Sequence, residues 1–176
     1  MGRVAGRRGR LAMELAQRIT LIAATITMGL VAGLFYAFAQ AIMPGLGRSD
    51  DSTFVAGFQA IDMAINNPWQ AAGFVGAPVF TASAAALHLG ADDRSSLVWI
   101  MAALVLYGVM LAITFRVHLP LNNEIQAAGG PDHIADLAAV RERFESRWVS
   151  WNIARAAFST AAFGCLTWAL VLFGAS

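Results

Sequence analysis

A chain of 176 residues that is 58% hydrophobic and only 13% charged, with a mean hydropathy of +0.61, carries about half the charge of an ordinary soluble domain and reads as a membrane protein. All of its 12 basic residues are Arg, and a net charge of +1 does not suggest a nucleic-acid partner. The single Cys165 excludes an intrachain disulfide, and His88, His118 and His133 are too scattered for metal-ligand spacing, so no metal or other cofactor is expected.

Residues 1–18, with Arg3, Arg7, Arg8, Arg10 and Arg18, read as a basic, mobile arm ahead of a single membrane domain over 19–176. The uncharged run 19–43 is long enough to cross a hydrocarbon core of about 30 Å. A signal peptide ending near Ala37-Phe38-Ala39 is the rival reading, but its apolar core would be only about 7–15 residues long. Gly29, Gly33, Ala37 and Ala41 recur every four residues, a small-residue stripe that suits close helix approach or a homodimer. Pro44-Gly45-Leu46-Gly47 is expected to break this helix. Ser49-Asp50-Asp51-Ser52 is expected to cap a short amphipathic helix carrying Phe54, Phe58, Ile61 and Ile65, which Asn66-Asn67-Pro68 ends.

A second span is expected over 69–89, a tight polar turn at Gly90–Ser95, and a third span over 97–117 that Pro120 stops. Beyond Gly129-Gly130-Pro131, Asp132 is expected to cap one long helix over 132–174. Its first part stands outside the membrane, and its second part, 149–174, is the fourth span. The fold class is therefore all-α: an antiparallel bundle of four transmembrane helices, with a short amphipathic helix between spans one and two. The basic arm places both termini in the cytoplasm and the chain in the plasma membrane. The Arg count supports this only narrowly, with six on the inner side against five on the outer.

In such a bundle, the end of span one, the start of span two, the end of span three and the start of span four share one membrane face. Tyr36, Gln40, Asn66, Asn67, His118, Asn122, Phe144, Trp148, Trp151, Asn152 and Arg155 gather there. Trp148, Trp151, Asn152 and Arg155 lie at i, i+3, i+4 and i+7, a spacing that puts them on one helix face. A cation two turns inside a span needs a partner or a wet pocket. Glu124, Asp62 or a ligand anion are the candidates. The plainer alternative is a snorkelling Arg with an aromatic belt.

The blocks Thr114-Phe115-Arg116-Val117-His118-Leu119-Pro120-Leu121-Asn122 and Trp148-Val149-Ser150-Trp151-Asn152-Ile153-Ala154-Arg155 resemble the signature of the anthrone oxygenase-like membrane family. The resemblance covers nearly the whole chain after the basic arm. It implies a four-helix membrane bundle and, in some members, cofactor-independent oxidation of an anthrone-type polyketide by O₂. On that reading His118 is the base, Arg155, Asn152 and Asn122 hold the enolate oxygen, and Trp148, Trp151 and Phe144 stack on the rings. Tyr36, Gln40, Asn66 and Asn67 complete the binding mouth. The alternative is a non-catalytic protein that binds a lipid, a quinone or a partner protein at the same mouth. A carrier is disfavoured, because the chain shows neither a broken-helix pair nor an inverted repeat.

Overall fold

The computed structural model describes residues 2–90 and 94–175, with side chains from Gly6 onward. Seven α-helices, two π turns and one 3₁₀ turn account for the regular structure of the described residues. Helix α1 (Gly2–Ala37) begins far earlier than the span it contains. The basic segment is thus the opening of a helix, not an irregular arm. Its Arg, Leu, Ala, Met, Glu and Gln are strong helix formers that outweigh Gly6 and Gly9. Gln17, 6% exposed, donates from Nε2 to the Leu87 carbonyl at 2.8 Å and pins the base of this helix.

Neither Pro44 nor Pro120 ends its helix. A π turn over Phe38–Ile42 leads into α2 (Met43–Leu46). Another over Thr114–His118 leads from α5 (Ser95–Ile113) into α6 (Leu119–Ala127). The arrangement is the same twice. The residue just before each proline donates its N–H five residues back, Met43 to the Phe38 carbonyl and Leu119 to the Thr114 carbonyl. Proline has no N–H, and its ring collides with the carbonyl four residues earlier. The wider π turn relieves both problems and carries the helix onward. The first break instead comes at Gly47, and the third span's helix runs on to Ala127.

Between these lies α3 (Asp51–Ile65), the expected short helix. The Asp50 carboxylate caps it by accepting from the Thr53 backbone N–H at 2.9 Å and the Thr53 hydroxyl at 2.8 Å. Those bonds hold its pKa below the usual carboxylate value. Asn67 caps α4 (Pro68–His88) by accepting from the Gln70 N–H at 3.0 Å. The turn expected at Gly90–Ser95 falls largely on residues 91–93, outside the described residues. After a 3₁₀ turn at Pro131–His133 comes α7 (Leu137–Ala175). It starts later than expected because its cap is Asp136, which accepts from the Ala139 N–H at 2.9 Å, and not Asp132.

Four helical stretches are long and apolar enough to cross a membrane: Gly6–Leu46, Pro68–His88, Ser95–Ala127 and Leu137–Ala175. At most 39% of each apolar window is buried within the chain, so the remaining apolar surface suits lipid. The chain is a multi-pass membrane protein. The helix contacts run in opposite numerical order. On α1 and α4, Gln17 meets Leu87, Gly76 faces Thr27 and Gly73 faces Val31. Along α5 and the π turn after it, Ser96 meets Ala169 and Thr114 meets Arg155 of α7. Gly29 is taken up inside the bundle, since a Cβ there would lie 3.0 Å from the Phe163 ring, whereas Gly33 is open.

Arg141 ties the extramembrane part together. It donates to the Ser49 and Gly47 carbonyls at 2.9 and 2.7 Å, pairs with Asp51 and Glu145, and lies 4.6 Å over the Phe54 ring. Arg141→Met removes these bonds and keeps the stem. It is expected to lower stability by about 1–3 kcal/mol and to hasten proteolysis at 47–51, measured by thermal melts and limited digestion in detergent.

Candidate functional site

The end of α1, the first π turn, α3, the start of α4, the second π turn, α6 and α7 surround a cavity of about 670 Å³, within the usual range for a small-molecule site. Its walls divide by chemistry. Phe35, Phe38, Phe58, Phe74 and Trp148 form an aromatic lining; Asp62, Asn66, Asn67, Gln70, Asn122 and Asn123 form a polar rim; Thr114 and Arg155 lie within. Val75, Phe115 and Leu119 line the cavity and are also 59%, 59% and 42% exposed. One edge of the cavity is therefore open and apolar.

Helix α7 delivers Arg155 through a regular seam. Trp148, Asn152, Arg155, Ser159, Ala162, Leu166 and Ala169 are all buried, in alternating steps of four and three, the spacing of a packed helix seam. Arg155 is 6% exposed and has no acidic partner within salt-bridge distance among the described residues. Its guanidinium donates to Asn152 Oδ1 at 2.9 Å and makes a long 3.5 Å contact with the Thr114 hydroxyl; Nε has no partner. The cation lies 4.3 Å from the Phe35 ring centroid and 5.5 Å from that of Trp148. Asn152, fully buried, donates in turn to the Phe35 carbonyl at 3.2 Å. Aromatic faces and neutral oxygens partly replace water here, but none supplies negative charge.

A second string of polar groups runs from Trp148. Its indole N–H donates to Asn122 Oδ1 at 2.9 Å, and Asn122 Nδ2 donates to Asp62 Oδ1 at 2.6 Å. The indole is donor-only and the carboxylate acceptor-only, so this amide orientation is the one that satisfies both. Asp62 Oδ2 accepts from Gln126 Nε2 at 3.0 Å. Behind the lining, Phe144 stacks with Trp148 and meets Phe58 edge-on at 4.5 Å.

The structure brings Asn122, Asn66, Asn67, Trp148 and Arg155 to the cavity wall, with Asn152 supporting Arg155 and Phe144 supporting Trp148. It does not bring Trp151, Tyr36 or Gln40 there. Trp151 is 43% exposed and Tyr36 57%, and Gln40 is also exposed. Trp151 and Asn152 are consecutive, so they lie about 100° apart around the helix; burying Asn152 turns Trp151 outward. His118 is 1% exposed, packs edge-on against the Trp148 ring at 5.0 Å and is not among the residues lining the cavity. The Ile113 and Trp148 backbones lie beside it, yet neither ring nitrogen has a partner in hydrogen-bonding geometry. Thr114 opens the first of the two family-like blocks, whereas Phe35, Phe38, Phe74 and Gln126 were not legible as site residues. Only the i, i+3 spacing of Phe35 and Phe38 at the end of an apolar run pointed toward them.

Among the described residues no group of three His, Cys, Asp or Glu side chains is placed to hold a metal ion. What the arrangement offers is an aromatic-lined cavity with one cation, Arg155, and one carboxylate, Asp62, on its wall. An anionic oxygen on a planar ligand would complete the coordination of Arg155.

A model of the anthrone oxygenase family matches residues 69–165, more than half of the chain. The match takes in Thr114, Asn122, Trp148, Asn152 and Arg155; Phe35 and Asp62 lie before it. No curated protein and no solved structure matches the chain.

A buried cation without a counter-charge is a burden to the ligand-free protein. Arg155→Met is therefore expected to leave the thermal midpoint in detergent unchanged or raised. A large fall would instead mark Arg155 as a structural residue.

Proposed function

The chain belongs to the anthrone oxygenase family, and we propose that its cavity binds an apolar, enolisable phenolic aromatic of the anthrone type and promotes its oxidation by O₂ without a cofactor. The observation that carries this reading is Arg155, buried, facing the cavity and lacking any acidic partner among the described residues. Oxidation of an anthrone passes through its enolate. Loss of a methylene proton leaves an electron pair spread over the rings and the carbonyl oxygen. That electron-rich anion reduces O₂; one oxygen atom becomes the new quinone carbonyl, and the other leaves as water with the two hydrogens.

In an apolar place the enolate anion is costly to form. Preorganised positive charge at the developing oxyanion is the most effective help a protein can give. Arg155 supplies the charge, Asn152 fixes the guanidinium and Thr114 lies beside it. Phe35, Phe38, Phe58 and Trp148 suit a flat ring system, and the apolar edge at Val75, Phe115 and Leu119 suits a substrate that partitions into lipid. The polar mouth is inferred to open on the face away from the Arg-rich start of α1, with both termini cytoplasmic, on the basis of the exposed Arg7, Arg8 and Arg10.

The test is O₂ uptake by the detergent-purified protein given a simple anthrone. Uptake above the uncatalysed background is expected, and Arg155→Met is expected to reduce it about 10²–10³-fold. A folded protein that binds the anthrone but consumes no O₂ would overturn the oxygenase reading and leave a non-catalytic binding site for an aromatic, quinone or lipid.

A further inference from the structure

The enolate chemistry above needs a group to take the proton, and His118 is poorly placed for it. That imidazole is buried against the Trp148 ring and is not among the residues that line the cavity. One carboxylate does line the cavity, that of Asp62. It has no cationic partner within salt-bridge distance among the described residues. Two neutral amides hold it instead, Asn122 on Oδ1 at 2.6 Å and Gln126 on Oδ2 at 3.0 Å. Gln126 is itself fixed by donating to the Gln59 carbonyl at 3.1 Å, and Asn122 by accepting from the Trp148 indole. Each carboxylate oxygen has two lone pairs, so one on each remains for a proton from the cavity. A carboxylate fixed in direction but not neutralised by a cation is suited to general-base work.

We propose that Asp62 is the base that removes the methylene proton of a bound anthrone-type substrate, with Asn122 and Gln126 as its positioning residues. The inference rests on the oxidation reading above. In the step proposed, the methylene C–H bond breaks, the proton goes to a carboxylate oxygen of Asp62, and the electron pair remains on the substrate as the enolate. Asp62 and Arg155 are not in contact with each other. They are joined along the wall through Asn122 and the Trp148 ring. In an anthrone the acidic carbon and the carbonyl oxygen lie on opposite edges of the central ring. Such a substrate needs a base at one edge and a cation at the other, and Asp62 and Arg155 both line the cavity. Asp62 comes from α3, outside the residues that the family model matches, so this half of the site is supplied by a separate part of the chain.

The experiment is anaerobic hydrogen–deuterium exchange at the methylene of a simple anthrone, followed by NMR in D₂O with the purified full chain. It needs no O₂ and reads only the proton step. The wild type is expected to accelerate exchange, and Asp62→Asn to lose about 100-fold of that acceleration while still binding a hydroxyanthraquinone. In Asp62→Ala, added formate is expected to restore part of the exchange. Exchange at the wild-type rate in Asp62→Asn, or none above background in the wild type, overturns Asp62 as the base. Loss of hydroxyanthraquinone binding in both variants also overturns it, because Asp62 would then be shaping the cavity. A wild type that exchanges the methylene but takes up no O₂ leaves Asp62 standing and removes the oxygenase reading alone.

Discussion

A guanidinium withdrawn from water is costly unless negative charge or strong acceptors replace its hydration, and Arg155 has only part of that replacement. Two rings, one side-chain amide oxygen and one distant hydroxyl surround it. The rest of the site follows from that deficit. Asn152 is fully buried because it must reach both Arg155 and the Phe35 carbonyl. Trp148 is held in place by Phe38, Phe58 and Phe144, and it presents one ring to the cation and its N–H to Asn122. The cavity is the space into which the missing negative charge would come.

The two π turns are what let the helices meet at this level. Each lies just before a proline and widens a helix without ending it. The first places Phe38 on the cavity wall, and the second places Thr114 there and packs His118 against Trp148. Beyond the second turn, α6 carries Asn122 and Gln126 over α3, where Asp62 waits. A plain α-helix through 114–127 would rotate these amides by the angle of one added residue, about 100°. The proline positions and the polar contacts are therefore parts of the same construction.

Much of this was legible along the chain, and the misses have physical causes. Long apolar runs gave the four spans because length and hydropathy are local properties. The Asp50 cap and the helix after it were visible because capping acts within three residues. Pro120 reads as a stop because a missing N–H is plain in the sequence, whereas the five-residue bond that compensates for it is not. An i, i+3, i+4, i+7 pattern spans an arc wide enough to hold both Trp151 and Asn152, and only packing decides which edge is buried. The partners of Asp62 lie 60 and 64 residues away, and the Phe35 contact of Asn152 spans 117. Contacts at that range depend on how the helices are rotated against one another, which local pattern does not encode.

On the proposed function, Arg155 is a cation kept ready for an anionic oxygen in the cavity. The most direct measurement is a spectrophotometric titration of a hydroxyanthraquinone, whose neutral and ionised forms differ in colour, bound to the purified protein and to Arg155→Met. The claim predicts that the phenol ionises at least about one pH unit lower on the wild type than on the variant, a tenfold preference for the anion. Ionisation at the same pH on both proteins, or at higher pH on the wild type, would contradict it.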